Sequence, residues 1–572
     1  MPRTGAVTVL PLAALALLAA LSARPLRAQD TQTALVRADD TVVLRVQGPR
    51  SIRRMFGPTN LGAVLGDETG LALRARLAAA VFGEVDGVAS PTGEVFAALI
   101  ESDAELTVGL RAVHGGDRLE VDGALRLAPD GKLDLPAFAA HIERVVRAKG
   151  LPIAELEYRG RKLLAFKDGA SPVVTLPFLH EGALVAVLGE DLELALDRRL
   201  GATDAPAWQP PEDDTRNAAV ALHVNLEQLF EASLWHWERD VRARRIFIES
   251  LGFDSVRALR VLVRAAGPNL EIESRIAFAA GGPRGLLAGF FPPIGTPPRL
   301  ARLGTDDGIG WFAGKFDLEA LLRTAIEGLG RYSALESGQF DGDVEKATAH
   351  LREQMESFAG LDLEKEFAAP LGTDWFFADA QCLAPDPSAS QDDPSAGFAL
   401  AVAVDDAEAF ARGHAKFLEG ALSTFFDFGR AAEPIEGVPM HRGRDQLEGL
   451  GLGHWFVAGG DECEPAMTAL VRRIAAKPAE GGELRLPPSL ERVRRRFPAG
   501  WSGCGTLDIG SAVDAALLQV TVFGLVDMGD DLTPAWRELV RELREPLARA
   551  QLDRLAITTG YADAAFALRL HW

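Results

Sequence analysis

Two stretches of this chain say nearly the same thing. "GALVAVLGEDLELALDRRLG" runs from Gly182 to Gly201, and "GHWFVAGGDECEPAMTALVRRI" runs from Gly453 to Ile474. Each reads as an apolar strand, a glycine, two acids, an amphipathic helix and a pair of arginines. Five more segment pairs follow the same order. Thr41–Phe56 matches Gly308–Ile326, Glu105–Val113 matches Asp374–Cys382, and Glu120–Val146 matches Gly397–Leu422. Ala218–Leu234 matches Trp501–Leu518, and Val256–Ala279 matches Leu552–Trp572. The offset drifts only from about 267 to about 296 positions. Matches kept in order at a near-constant offset point to a tandem duplication. Whatever fold the first half takes, the second is expected to take as well.

The repeats divide the 572 residues. Residues 1–28 read as a signal peptide: Arg3 gives the positive start, Ala6–Leu21 is almost wholly apolar, and cleavage is expected after Ala28. No cysteine follows the apolar run, so a lipid anchor has no support there. Residues 29–289 form the first half and 309–572 the second. Between them, residues 290–308 hold four prolines and suit a stiff linker, since proline continues neither a helix nor a central strand.

Inside the repeated unit, Leu184, Val185, Val187 and Leu188 make a short apolar strand. Gly189 turns the chain, and Glu190 and Asp191 meet the positive end of the helix dipole. Leu192, Ala195, Leu196 and Leu200 recur at helical spacing. Arg198 and Arg199 close the last turn, and Gly201 ends it. On this reading the charges serve helix ends. Ala-Gly-Pro-Asn at 266–269 separates two alternating runs and predicts a hairpin. Hairpins with intervening helices give the expected fold class: α+β, two duplicated halves, each an antiparallel sheet with helices packed on it. A doubly wound parallel sheet is the weaker alternative, because many neighbouring strands are joined too tightly for crossovers. Long helices are expected over Asn225–Leu251 and Asp343–Phe358, and a polar loop over Ala384–Gly397.

The formal charge is −21. Such a chain repels phosphate backbones and anionic lipid surfaces, so nucleic acid is not an expected partner. No stretch after the leader reaches the length of a spanning helix. Cys382, Cys463 and Cys504 allow at most one disulfide, which excludes a disulfide scaffold.

A search for chemistry returns no committed site. "GWSGCG" (Gly500–Gly505) resembles a nucleophile elbow but carries Cys504 where that motif needs glycine, and reads better as a strand. The ten histidines are scattered without a zinc pattern; His441 and His454 flank one turn region but lack a third ligand. "DGDVE" (Asp341–Glu345) starts like a calcium loop, yet Lys346 and Arg352 stand where glycine and glutamate are required. No glycine-rich segment matches a phosphate fingerprint. The alternating C-terminal strand with Phe566, Leu568, Leu570 and Trp572 is like the last strand of an outer-membrane barrel, but it repeats an internal strand of the first half.

"GLDLEKEFAAPLGTDWFFA" (Gly360–Ala378) and "GFALAVAVDDAEAFARGHAKFLE" (Gly397–Glu419) resemble a family of exported bacterial proteins known only as a domain of unknown function. The similarity is clearest over 305–475 and weaker over 40–290, and its motifs are mainly apolar patterns. It implies no catalytic residue. The expectation is therefore an exported protein of the periplasm or cell exterior, binding or structural rather than catalytic. No catalytic, metal or cofactor residue is assigned, and the partner is an unknown protein or small molecule. A groove between the halves is the default site. Rival readings are a hydrolase whose site assembles only in space, and an outer-membrane or lipid-associated protein with a barrel or a continuous apolar groove.

Overall fold

The computed structural model describes residues 35–60, 62–63, 102–115, 118–128, 133–148, 152–167, 172–201, 208, 218–234, 240–308, 310–336, 338–383, 397–420, 429–460, 463–476, 485–498, 500–508 and 554–571. The leader, most of the Ala384–Gly397 loop and Trp572 lie outside the described residues.

The first half contributes β1 (Val42–Val46), β2 (Leu106–Gly115), β3 (Arg118–Leu127), β4 (Ile153–Tyr158) and β5 (Arg161–Phe166). It continues with β6 (Val173–Thr175), β7 (Phe178–His180), β8 (Ala183–Gly189), β9 (Ala218–Asn225), β10 (Val256–Ala266) and β11 (Asn269–Phe278). The second half contributes β12 (Gly310–Lys315), β13 (Leu371–Asp379), β14 (Phe398–Val404), β15 (Arg430–Ile435) and β16 (Val438–Arg442). It ends with β17 (Gln446–Gly451), β18 (His454–Gly459), β19 (Trp501–Asp508), β20 (Arg554–Ala562) and β21 (Ala565–His571).

Every pairing is antiparallel, as short hairpin connections require. In the first half the strands lie in the order β4, β5, β6 with β7, β8, β3, β2, β1, β9, β10, β11. In the second they lie in the order β15, β16, β17, β18, β14, β13, β12, β19, β20, β21. The two orders run parallel place for place, except that two short strands, β6 and β7, stand where the second half has β17 alone. All six segment pairs read from the sequence fall on strands that hold the same place in the order.

The halves do not sit apart across a groove. β11 pairs directly with β21, which joins everything into one continuous sheet. Among the described residues β4 pairs only with β5 and β15 only with β16, so no ladder between described strands joins the two ends. Where a groove between the halves is the expected site, the described residues show a hydrogen-bonded seam. The terminal strand β21 is internal, flanked by β11 and β20.

Helices cover parts of both faces. In the repeated unit, Asp191 caps the Leu192–Leu200 helix by accepting from Leu194 N, and Ala195 and Leu196 are buried against Val185, Val187 and Ala124. In the second half the Cys463–Ala475 helix seats Ala466, Met467, Leu470 and Val471 on a core of Phe376, Ala399, Ala401, Phe456 and Ala458. Leu300, Ala301 and Leu303, from the end of the proline-rich segment, join that same core at 0–1% exposure. The linker is therefore shorter than 290–308, and its last turn belongs to the second half. On the opposite face, the Ala407–Glu419 helix places Phe410 over Leu371 and Val402. The single helix expected over Asn225–Leu251 is two, Leu226–Leu234 and Val241–Leu251, and the second is capped by Asp240. The helix expected at Asp343–Phe358 is found at Val344–Ala359, with Asp343 as its cap.

Candidate functional site

Pleating sends alternate side chains to opposite faces, so a single register row can be followed across all the paired strands. On one face the row reads Leu184, Leu127, Leu106, Val46, Val220, Val263 and Ile272 in the first half. It passes through the seam to Leu570, Ile557, Gly505, Phe312, Phe377, Leu400 and Val457. No polar side chain interrupts it until Glu448 on β17. At the usual spacing between strands the row spans roughly 60 Å. Val263, Ile272, Leu570, Ile557, Phe312 and Leu400 along it are half-buried. Phe377 is 53% exposed and stacks near Phe398, ring centroids 6.2 Å apart. The floor beside Phe312 is made of glycine: a Cβ at Gly314 would come within 2.5 Å of its ring, and one at Gly503 within 2.8 Å.

The parallel row on the other face begins Val185, Arg126, Thr107, Arg45, Ala221, Leu262 and Glu273. It continues Arg569, Thr558, Cys504, Ala313, Phe376, Ala401 and Phe456. This face is ionic in the first half and at the seam, and apolar in the second half.

The ionic groups are paired rather than aimed at a cavity. Arg199, 2% exposed, reaches Asp40 and Asp122 at 2.7 and 2.8 Å and donates to the Leu35 carbonyl at 3.0 Å. Arg198 adds a 2.7 Å contact to Asp122. Burial alone would lower the Arg199 pKa, but hydrogen bonds and charge from Asp40 and Asp122 raise it. Burial pushes the Asp40 carboxyl up and outweighs the guanidinium. Arg199 is therefore a core ion-pair centre and not only a helix-end charge.

At the seam Arg264 contacts Glu271 at 2.5 Å and Glu273 at 2.7 Å, and Arg569 approaches Glu273 at 3.5 Å. His571, 2% exposed, meets Thr558 Oγ1 at 3.2 Å. Burial pushes its pKa down to about 4; Glu271 opposes this, while Arg569, Arg496 and Arg264 reinforce it. Elsewhere Lys315 and Arg299 hold Asp374, whose carboxyl they lower against the opposing effect of burial. His414, on the Ala407–Glu419 helix, lies 3.2 Å from Glu448 on the sheet beneath it.

The residues weighed for chemistry scatter. Cys504 is fully buried within β19, and burial raises its thiol to about 12. Cys382, also buried, is raised to about 12. His441 lies opposite Glu448, and His454 points to the other face, so the two do not meet. Asp343 accepts from Lys346 N as a helix cap. Among the described residues no three His, Cys, Asp or Glu side chains converge as metal ligands. Two surface depressions, one beside Arg198 and Asp122 and one beside Arg352 and Asp362, hold only about 20 Å³ each.

The uninterrupted apolar row is what residue-by-residue motif searching misses. Its signal lies in the alternation of each strand, but the register that aligns the strands depends on long-range pairing. A second apolar feature sits on the helices beyond the sheet. Val241 and Phe247 on one helix, Leu329 and Tyr332 on Leu318–Glu336, and Val344 and Phe358 on the next are 41–59% exposed. Among the described residues no helix is long and apolar enough to cross a membrane.

No family model matches the chain, and no curated protein matches it. Crystal form III of TP0453 overlays with a TM-score of 0.23 at 9% identity, over 45% of this chain and 82% of that one. Crystal form I of TP0453 gives 0.21 at 10% identity, over 44% and 82%. Overlaps this loose carry no argument about fold or activity.

Proposed function

We propose that the chain is an exported binding protein whose working surface is the apolar face of its sheet, and that its ligands are rich in hydrocarbon, such as lipid acyl chains. The observation that carries this reading is the stretch of that row from Val263 through the seam to Phe377, apolar at every step and, Gly505 apart, half-buried or exposed. Its ends lie under helices, where Leu184, Leu127 and Leu106 pack with Leu135 and Phe138, and Leu400 with Phe410. Protein partners usually bring a polar rim and about one hydrogen bond per 100–200 Å². A long row without polar side chains offers little to satisfy such a partner, whereas an extended acyl chain requires only carbon contacts. Large exposed apolar patches mark binding grooves or membrane contacts rather than ordinary surface. The half-exposed helix residues Phe247, Leu329, Tyr332 and Phe358 suit contact with a neutral membrane surface from which such a ligand is taken or to which it is delivered. The apolar leader and the acidic charge of −21 fit export and weak affinity for anionic lipid.

The test is solvent extraction and mass spectrometry of lipid co-purifying with the mature chain, together with titration of a fluorescent long-chain fatty acid. Saturable binding that Phe377→Glu weakens several-fold, with the unfolding midpoint unchanged, is the expected result. Absence of both co-purified lipid and saturable binding would overturn the reading.

A further inference from the structure

The seam has a symmetry that the rest of the chain explains. β10 turns into β11 with Ala266 opposite Asn269, and β20 turns into β21 with Ala562 opposite Ala565. Asn269 and Ala565 therefore hold equivalent places, and so do Glu273 and Arg569, each four residues further along. In the β11–β21 ladder Glu273 lies directly opposite Arg569. Equivalent residues facing each other across antiparallel strands define a twofold axis through that pair, the geometry of an isologous interface. A half of this fold presents an edge strand able to pair with another copy of the same strand.

The side chains on the axis break the symmetry. The first half brings acids: Glu273 on the axis and Glu271 beside it, 9% and 3% exposed. The second half brings a cation on the axis, Arg569, and no acid beside it: the neutral imidazole of His571 lies opposite Glu271. Arg264 of the first half contacts both glutamates, and the second half has Gly560 at the position equivalent to Arg264. Arg569 is held further by the Arg496 carbonyl at 3.0 Å.

We propose that this charge arrangement selects which edges join: the β21 edge of a second half accepts the β11 edge of a first half and rejects another β21. A β21–β21 ladder in the same register places Arg569 opposite Arg569 and leaves both without a carboxylate in a water-poor site. Like charges directly opposite on paired strands repel, and buried unpaired cations are strongly disfavoured. A β11–β11 ladder places Glu273 opposite Glu273, but each keeps its own Arg264, so rejection is weaker on that side. The seam is thus an interface for one kind of partner, a first half, and the constraint comes mainly from the second half.

The test uses the full-length chain throughout. Glu273→Arg sets arginine against Arg569, Arg569→Glu sets glutamate against Glu273, and the double exchange restores an opposite-charge pair. Unfolding in urea is followed for each chain, and the two single variants are also refolded together from urea and sized by native mass spectrometry. Each single variant is expected to lower the urea midpoint, and the double exchange to recover most of the loss. The refolded mixture is expected to give a heterodimer in at least tenfold excess over homodimers, because each chain's β11 then meets a β21 of opposite charge in the other. Single variants as stable as the native chain, a double exchange with no recovery, or homodimers as abundant as the heterodimer would overturn the proposal. If the double exchange fails to fold, Arg569→Gln replaces it: it should lose less than Arg569→Glu, and an equal loss counts against the proposal.

Discussion

Arg199 and Arg473 hold the same place in the two halves and make the same first contact. Each donates from Nη1 to the carbonyl of a leucine leading into the half's first strand, Leu35 or Leu303, at 3.0 Å. Beyond that they differ. Arg199 closes on Asp40 and Asp122, whereas Arg473 donates to the carbonyls of Cys382 and Leu383 at 3.3 and 3.4 Å. The registers explain the change. Asp122 lies opposite Gly189 and four residues before Arg126; the same place in the second half, four residues before Ala401, is Gly397, which has no side chain. The counterpart of Asp40 is Gly308, which has a positive φ and no room for a Cβ, since one would lie 2.4 Å from Cys382 N. With no carboxylate in contact, burial lowers the Arg473 pKa. A guanidinium can lock a chain entry either by ion pairing or by capping carbonyls. The first half took the ionic solution and the second took the apolar one.

The largest test of that contrast is Arg199→Met, which strands two buried carboxylates and should cost about 3–5 kcal/mol in urea unfolding. Removing all three charges, with Asp40→Asn and Asp122→Asn added, should recover much of the loss; no recovery would mean the arginine acts mainly through packing. Next comes pH. The folded His571 holds its proton less tightly than the usual 6.5, with a pKa near 4. The unfolded chain binds more protons between those values. Stability should therefore be full above about pH 6.5 and fall toward pH 4 by roughly 3 kcal/mol. Urea midpoints at pH 7, 5.5 and 4.5 check this, and His571→Gln should flatten the profile. His223, also lowered to about 4 by burial and by Arg260, contributes in the same direction. Arg473→Met should cost less than Arg199→Met, roughly 1–3 kcal/mol for three freed carbonyls. Equal losses at the two arginines would break the comparison. Gly503→Val, which gives the second half the side chain of its counterpart Val220, should cost about 1–3 kcal/mol by crowding Phe312 and Thr559. Smallest of all, Lys162→Ala removes an open 3.6 Å pair with Glu155 and should leave the urea midpoint unmoved.

The strand-turn-helix unit at 182–201 was legible residue by residue, because its signals are local: alternation, a glycine, an acidic cap and helical spacing. The Gly267-Pro268 hairpin was legible for the same reason. The role of Arg199 was not. It looks like a helix-end charge in sequence, and only the approach of Asp40 and Asp122, 159 and 77 residues away, makes it a core group. The second half's hold on Leu300 and Leu303 was hidden by the prolines before them, which signal a break but not how soon packing resumes. The hairpins β4–β5 and β15–β16 occupy matching places but share too little pattern to be aligned by eye. The apolar row was latent in each strand's alternation and became visible only with the register, which no single segment encodes.

Among the described residues the ladder has two ends, β4 and β15, each paired with one neighbouring strand only. Glu155 and Glu157 point outward from one, and Arg430, Glu433 and Pro434 interrupt the other. Proline withholds a donor, and charge resists docking of a neighbouring strand. Borders of this kind act as terminators: they disfavour the addition of a further like strand at either end of the ladder.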